Sequence, residues 1–329
     1  MNNFLSYNLT QPRQITQIHI FHYLHSIQEC KYNPTMDTES LKAFLAVAEQ
    51  QSFSLAAEQL HLTQPAVSKR IAALERQLSC KLFDRIGRNV HLTEAGQALL
   101  PQSRRILQDI KEAVRSIQDL RGDVSGRLSM GISHHIGLHR LPPILRKYSQ
   151  LYPDVKLDID FMDSEQAHQL ILHGEMDLAV ITLSPTGEQQ LLPIPIWNDP
   201  LTVTVAHSHP LAKYTSVNAE MLSQHTALPP GLNTYTGQII KKLFDQRGLK
   251  MNIGMSTNYL ETIKVMVSIG LGWSILPLTL LDDSVIALEW EGQALSRTLG
   301  CVHHRNRSLS NAAVAFIELL RTASKENFA

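Results

Sequence analysis

From residue 37 onwards, apolar side chains recur at the spacing of an α-helix. Residues 37–50 have one apolar face with Asp37 placed as N-cap, and Ser54 is expected to cap a short second helix. A third helix is expected after Thr63, with Pro65 in its first turn, where the missing N–H does no harm. Its apolar stripe consists of Val67, Ile71, Leu74 and Leu78. Two helices separated by a short turn predict a helix-turn-helix.

A two-stranded wing and a long helix are expected next. Residues 81–85 and 89–92 have strand character and flank Gly87. Thr93 is placed to cap a helix that continues to about residue 120.

Pro101 is expected to kink this long helix. Five of its apolar residues recur at heptad spacing: Leu100, Leu107, Ile110, Val114 and Ile117. The repeat predicts a dimerising linker helix and hinge over residues 93–126. An ordinary helix packed on its own domain would give a similar pattern.

Beyond residues 122–126 the pattern changes to alternating strands and helices. Strands are predicted at residues 128–132, 155–161, 178–182, 201–206, 251–256, 273–276 and 298–302. Helices are predicted at residues 141–151, 164–173, 235–246, 258–269 and 310–323. This alternation is typical of a mostly parallel sheet with helices on both faces, so the chain is predicted to be an α+β multidomain protein.

Length and composition agree with a globular chain of two or three domains. Of its 329 residues, 43% are hydrophobic and 18% charged, which is ample for a folded core. Cys30, Cys80 and Cys301 are too few and too scattered for a disulfide framework. The sequence has neither a signal peptide nor an apolar run long enough to span a membrane. The protein is therefore expected in the cytoplasm.

Residues 1–35 differ from the rest of the chain. They are polar, and His19, His22 and His25 lie at a three-residue period. Three imidazoles on one helical face could ligate zinc. The favoured interpretation is a disordered extension outside the folded domains. The pattern that predicts the first helix begins at Met36 and does not need the preceding residues.

The third helix and the wing carry the candidate DNA contacts. Basic and acidic residues balance at thirty each, so a DNA-binding surface must be local. Residues 63–88 contain six basic residues against only Glu75 and Asp84. The predicted base and phosphate contacts are Gln64, Pro65, Ser68, Lys69, Arg85 and Arg88. Arg70 and Arg76 could instead pair with neighbouring acids such as Glu75.

The segment Ser52–Gly96 resembles the DNA-binding domain of the LysR-type transcriptional regulators along its whole length. The resemblance is carried by the ordered motifs SFSLAAEQL, TQPAVSKRI, LERQL, KLFDR and LTEAG. It implies a winged helix-turn-helix over residues 36–95. Cys80 departs from the pattern, because the family commonly has glycine there.

The same resemblance implies that residues 127–329 form an effector-binding domain built like a periplasmic binding protein. Subdomain I would comprise residues 127–197 and 298–329, and subdomain II residues 198–297, with the effector between them. Loops after strand ends supply the candidate effector-binding residues Ser133, His134, Thr182, Thr257 and Asn258. Hydroxyl and amide groups at helix N-termini favour an anion, so a carboxylate metabolite is expected. Alternatively, each of these five residues could be an ordinary loop or helix-cap residue whose polar groups are hydrogen-bonded within the loop or cap.

The family implies a sequence-specific regulator, dimeric or tetrameric, that binds double-stranded operator DNA and contacts RNA polymerase. A solute-binding protein is the second hypothesis, but it would need export. An enzyme with a DNA-binding head is the third. The nucleophile-elbow, phosphate-loop, zinc-protease and dinucleotide motifs are all missing from the sequence. No cofactor is expected.

Two groups of histidines suggest a metal sensor: His134, His135 and His139, and His207 with His209. No acid or cysteine completes either group at a recognisable spacing, so the sequence predicts no metal site. Redox sensing would need a resolving partner for Cys301, which is expected to be an inert buried thiol.

Overall fold

The computed structural model describes residues 36–86, 89–120 and 122–326, with the backbone alone at 85, 86, 89, 118 and 324–326. The chain divides into two compact units, the first ending at Leu100 and the second beginning at Pro101. The predicted extension over residues 1–35, with its three histidines, lies outside the described residues, as does the tip of the wing at 87 and 88.

Helices and a hairpin form the first unit, in the order predicted for a winged helix-turn-helix. The elements are α1 (Thr38–Gln50), α2 (Phe53–Gln59), α3 (Gln64–Leu78), β1 (Phe83–Ile86) and β2 (Asn89–Leu92). The long helix α4 (Glu94–Asp119) begins in this unit and continues into the second. Thr93 caps α4, because its hydroxyl oxygen accepts a hydrogen bond from Gly96 N at 3.1 Å.

The start of α2 differs from the prediction. Ser52, and not Ser54, is the N-cap, and its Oγ accepts a hydrogen bond from Leu55 N at 3.3 Å. The helix begins earlier because Phe53 is buried against Phe83, with ring centroids 5.8 Å apart.

The second unit alternates strands and helices, as predicted. Its elements are β3 (Gly126–Ile132), α5 (His134–His139), α6 (Pro142–Leu151), β4 (Val155–Phe161), α7 (Ser164–Leu172), β5 (Leu178–Thr182), β6 (Leu191–Val205), β7 (Ser216–Val217), α8 (Ala219–Ser223), β8 (Thr226–Ala227), α9 (Tyr235–Asp245), β9 (Asn252–Ile253), α10 (Leu260–Ser268), β10 (Ser274–Pro277), β11 (Ile286–Trp290), β12 (Leu295–His304) and α11 (Asn311–Glu326). Short 3₁₀ turns occupy Pro210–Lys213 and Leu278–Leu280.

A mixed sheet runs through this unit in the order β4-β3-β5-β12-β6-β11-β7, and β10 also pairs with β6. Strand β3 pairs in parallel with β4 and β5, as the alternation predicted. The expectation of a mostly parallel sheet is wrong at the centre, where β12 runs antiparallel to β5 and β6, and β6 runs antiparallel to β10 and β11. The reversals arise because β6 and β12 carry the chain between two halves of the unit in opposite directions.

Each half has its own apolar core. The first half, built on β3–β5 and α11, includes Leu128, Tyr148 and Phe316. The second half, built on β7–β11, includes Ile240 and Trp273. Strands β6 and β12 contribute to both cores and so connect the halves. We call the space between the two halves the cleft.

Within the described ranges, no helix is both long enough and apolar enough to cross a lipid bilayer.

Candidate functional site

The exposed face of α3 carries the predicted base-reading residues. Gln64, Pro65 and Lys69 are exposed and Ser68 is half-buried, while the opposite face is held in the core. Gln64 Nε2 donates a hydrogen bond to Ser68 Oγ at 2.8 Å. Thr63 stands at the N-cap without a side-chain cap hydrogen bond, and Pro65 follows in the first turn of the helix. The face therefore offers polar groups at the front of the helix, where a groove-binding helix reads bases.

Two charged residues near this face support the fold. Arg70 Nη1 contacts Glu39 on α1 at 3.2 Å, so its partner is Glu39 and not the predicted Glu75. Glu75 Oε1 accepts a hydrogen bond from Leu82 N at 3.0 Å, and its Oε2 accepts one from Lys81 Nζ at 2.8 Å. Glu75 thus fixes the turn into the wing.

The remaining predicted phosphate contacts lie on the wing. Arg88 is outside the described residues, and only the backbone of Arg85 is described, within β1. Both stay predictions.

Helix α4 has two chemically different faces in the second unit. On one face Arg115 Nη1 pairs with Asp177 Oδ1 at 2.5 Å, and Glu112 pairs with Arg307. On the opposite face the apolar side chains are exposed, to 43% at Ile110, 55% at Val114 and 69% at Ile117. The predicted seam residues Leu100 and Leu107 are half-buried.

A small cavity of about 50 Å³, partly open to solvent, lies in the cleft. Four of the five predicted effector-binding residues line it: Ser133, His134, Thr182 and Asn258. Thr257 is not among the described lining residues. Its Oγ1 accepts a hydrogen bond from Tyr259 N at 3.4 Å, as in a local turn. The His134 ring packs between Phe161 and Tyr259, at centroid distances of 5.9 and 4.7 Å.

A buried arginine on β12 borders the cavity. Arg297 is 7% exposed, and it donates hydrogen bonds from Nε to Asp199 at 2.8 Å and from Nη1 to Thr236 at 2.9 Å. Arg140 Nη2 donates to the same Asp199 carboxylate, which is fully buried, at 3.3 Å. Burial lowers the pKa of Arg297, and the charge of Asp199 opposes this shift. Arg297 Nη2 has no hydrogen-bond partner among the described residues, so a cationic donor is left available beside the cavity.

Hydrogen bonds cross the cleft beside the cavity. Asn258 Nδ2 donates to Asp163 Oδ2 at 2.6 Å, and Tyr235 N donates to Glu165 Oε1 at 2.5 Å. Burial raises the pKa of Glu165, and the bond from Tyr235 reduces that shift. These contacts join α7 in the first half to the second half, so this cleft is closed.

At the rim of the cleft, two histidines of α5 face a carboxylate of α10. Glu261 Oε1 lies 2.9 Å from His139 Nε2 and 3.4 Å from His135 Nδ1. Burial alone would raise the pKa of Glu261, but hydrogen bonds from the histidines outweigh it and lower the pKa to about 2. The sequence prediction of no metal site relied on spacing, and the fold supplies the acid from 122 residues along the chain.

Sequence reasoning missed the charged residues around the cavity. Arg297 fell one residue before the predicted strand at 298–302, and Asp199 fell between two predicted elements. The available signal was one acidic residue, Asp199, in one apolar strand-like segment and one basic residue, Arg297, in another. Their pairing required knowledge that β6 and β12 are neighbours, which is a long-range property.

Cys301 is fully buried on β12, and burial raises the pKa of its thiol to about 12. This supports the interpretation of an inert thiol.

Comparisons with known proteins agree with this architecture. A family model described as "LysR substrate binding domain" matches residues 121–325, and one described as "Bacterial regulatory helix-turn-helix protein, lysR family" matches residues 38–97. A probable RuBisCO transcriptional regulator of Cyanophora paradoxa is 32% identical over 294 residues, covering 86% of this chain and 91% of that protein.

Two further matches concern a part of the chain and the fold. An uncharacterised HTH-type regulator in the ibpB-leuC intergenic region of Azotobacter vinelandii is 67% identical over 108 residues, covering 33% of this chain and 75% of that protein. The crystal structure of full-length CbnR with its target DNA matches with a TM-score of 0.62 at 22% identity, covering 88% of this chain and 100% of that chain. The latter likeness is one of fold.

A helix-turn-helix joined to a two-half α/β domain defines a DNA-binding regulator with a sensor domain. The chain belongs to the LysR family of bacterial transcriptional regulators. It therefore combines a DNA-binding domain with an effector-binding domain, and it is not an enzyme.

Proposed function

We propose that this regulator recognises operator DNA sequence-specifically through α3 and responds to a carboxylate metabolite bound in the cleft. The proposed domains are the DNA-binding domain at 36–95, the dimerising helix and hinge at 93–126, subdomain I at 127–197 and 298–329, and subdomain II at 198–297. The effector would occupy the cavity between the two subdomains.

The free guanidinium nitrogen of Arg297 is the observation that supports a carboxylate. A buried charged group with an unmade hydrogen bond carries a desolvation cost that an anionic ligand would offset. Ser133 stands beside the same cavity, and its hydroxyl makes no cap hydrogen bond to α5. Together these groups provide one charged and one neutral donor.

The two faces of α4 support self-association. Its charged face is already paired with the sensor domain, whereas Ile110, Val114 and Ile117 leave an apolar stripe exposed on the other side. The same stripe on a second copy is the complementary partner, as in a coiled coil. We propose a homodimer through this stripe, which can assemble further into a tetramer.

Effector binding would shift the population between open and closed clefts. Because the cleft and α4 from Pro101 onwards belong to one compact unit, this shift would reposition the paired DNA-binding domains and change contact with RNA polymerase.

The carboxylate proposal is tested on the full-length protein with a panel of small mono- and dicarboxylates, each matched by its neutral amide. Thermal unfolding is measured for every pair. A carboxylate at a hundred times its Kd should stabilise the protein by about 2.7 kcal/mol, and its amide should not. Equal stabilisation by acids and amides would contradict the proposal.

Three variants locate the binding site. Arg297→Lys keeps a charge opposite Asp199 but removes the planar fork of donors, so the acid should lose most of its stabilising effect. Ser133→Ala should weaken binding by about 0.5–1.5 kcal/mol. Thr257→Ala is the matched control, because its hydroxyl lies outside the lining, and it should bind the acid like the parent protein.

A further inference from the structure

His135, His139 and Glu261 form a cluster at the edge of the cavity, and of the three only His135 also lines it. Each offers one ligand atom, and these atoms all lie within 4.8 Å of one another. His135 and His139 are four residues apart on α5, one helical turn, so their rings lie side by side with centroids 4.9 Å apart. The cluster brings together two imidazoles and a carboxylate.

The distances within the cluster fit the first coordination shell of one ion. Two ligand bonds of about 2.1 Å at the tetrahedral angle hold their donor atoms about 3.4 Å apart. Glu261 Oε1 lies 2.9 Å from His139 Nε2 and 3.4 Å from His135 Nδ1. Because all three ligand atoms lie within 4.8 Å of one another, a contraction of the His135–His139 pair would place them around one centre.

The surroundings also suit an ion. His135 is 5% exposed, and its Nδ1 is the ring nitrogen that faces Glu261. The His139 and Glu261 side chains are 35% and 30% exposed, so the group is buried on one side and reachable from the other. The His135 ring is fixed by the fold, and an entry path exists past His139.

We propose that His135, His139 and Glu261 bind a divalent transition-metal ion of the zinc type, with water in the fourth position. Two imidazoles and one carboxylate are a ligand set that zinc accepts with an open position. Because Ile136 of α5 packs in the core of the first half and Ile263 of α10 in a separate apolar cluster of the second half, the ion would join the two halves across the cleft. Metal binding would therefore favour the closed cleft independently of the carboxylate.

The proposal is tested by titrating Zn²⁺ into full-length, chelator-treated protein in an isothermal calorimeter, in a buffer without DNA or carboxylates. His19, His22 and His25 are first replaced by glutamine, so that they cannot contribute a second site. One equivalent of Zn²⁺ should bind in this background. Co²⁺ should bind at the same site and give the intense visible absorption of a tetrahedral complex.

His139→Gln and Glu261→Gln should each weaken Zn²⁺ affinity by about tenfold or more. Gln at 139 retains a donor for Glu261, so this variant should keep the melting temperature of the metal-free parent. His207→Gln is the control, because His207 lies on the exposed surface outside the cluster, where its Nε2 is hydrogen-bonded to the Asp283 carbonyl oxygen, and the Zn²⁺ affinity of this variant should not change. Absence of a stoichiometric site, or equal affinity in His139→Gln, would overturn the proposal. Neither result depends on whether the cleft binds a carboxylate.

Discussion

Gln64 and Ser68 satisfy each other on the free surface of α3. The two residues are four positions apart, about one helical turn, and their hydrogen bond holds both side chains near the N-terminus of the helix. A base edge in the major groove would compete for the same amide and hydroxyl groups. The pair is therefore ordered before it meets DNA, which reduces the entropy lost on binding.

Gln64→Ala is expected to reduce discrimination more than affinity. A bidentate contact from glutamine to a base is worth about 1–3 kcal/mol of discrimination. Binding to an operator and to its single-base variants is compared by fluorescence anisotropy at fixed salt. Lys69→Ala is the contrasting variant. It should weaken binding to all DNA sequences alike and reduce the slope of log affinity against log salt concentration by about one. Equal loss on all sequences for Gln64→Ala would contradict a base-reading role.

Gly96 is expected to be intolerant of a side chain. A Cβ at this position would lie 2.2 Å from the Leu82 carbonyl oxygen, which is backbone and cannot move aside. Gly96→Ala should destabilise the DNA-binding unit by about 1–3 kcal/mol. Denaturant unfolding measures the change. Gln97→Ala, one residue along on the exposed surface, should stay within about 0.5 kcal/mol of the parent.

Individual cavity-lining residues were predictable only where a local signal existed. Ser133, Thr182 and Asn258 follow or precede regular elements, and reading strand ends found them. Thr257 gave the same local signal, but its hydroxyl bonds to Tyr259 N instead of facing the cavity. Arg297 and Glu261 gave no local signal, because the residues that they contact, Asp199 and His139, are distant in sequence.

At the scale of elements, α4 illustrates what a repeat can reveal. The heptad pattern identified the apolar face, but it could not tell a dimer seam from a face packed on the same chain. The structure shows the charged face packed inward, through Glu112 and Arg115. The exposed stripe is thus the side left for a partner.

Ile117→Glu is expected to weaken the dimer through this stripe. Burying a carboxylate in an apolar seam should raise the dimer dissociation constant by about tenfold or more, since each factor of ten corresponds to about 1.4 kcal/mol. Light scattering after size-exclusion chromatography measures the mass over a dilution series. Ser116→Glu adds the same charge outside the stripe and should leave the mass unchanged. An unaltered dimer in Ile117→Glu would move the interface elsewhere.

Strand β6 shows why the sheet was only partly predictable. Its first ten residues contain Pro193, Pro195 and Pro200, which argue against a strand. They are tolerated because the early part of β6 pairs with β12 on one side only, and its other side is a sheet edge. Sequence patterns indicate which residues favour a strand, but edge position follows from the whole topology.

At the scale of the whole sensor unit, closure of the cleft depends on contacts between its halves. Asn258 and Asp163 meet at 2.6 Å beside the cavity. This contact joins the second half to the N-terminus of α7. A substitution here should alter cleft geometry without removing either core.

Asn258→Asp is expected to favour the open cleft. Two carboxylates about 4 Å apart repel by about 1–4 kcal/mol, depending on solvent exposure. Small-angle X-ray scattering of the full-length protein should show a larger radius of gyration, and Asn258→Ala, which removes the bond without adding charge, should show a smaller increase. If both variants scatter like the parent protein, the contact does not control closure.

The first half of the sensor unit is assembled from both ends of its sequence. Strand β12 pairs with β5, and Phe316 of α11 completes the core around Tyr148. A nascent chain that has left the ribosome only as far as residue 290 lacks both elements, although residues 36–100 are complete as a unit. At about 5–20 residues per second, the DNA-binding unit precedes its own control domain by on the order of 10–40 s during synthesis.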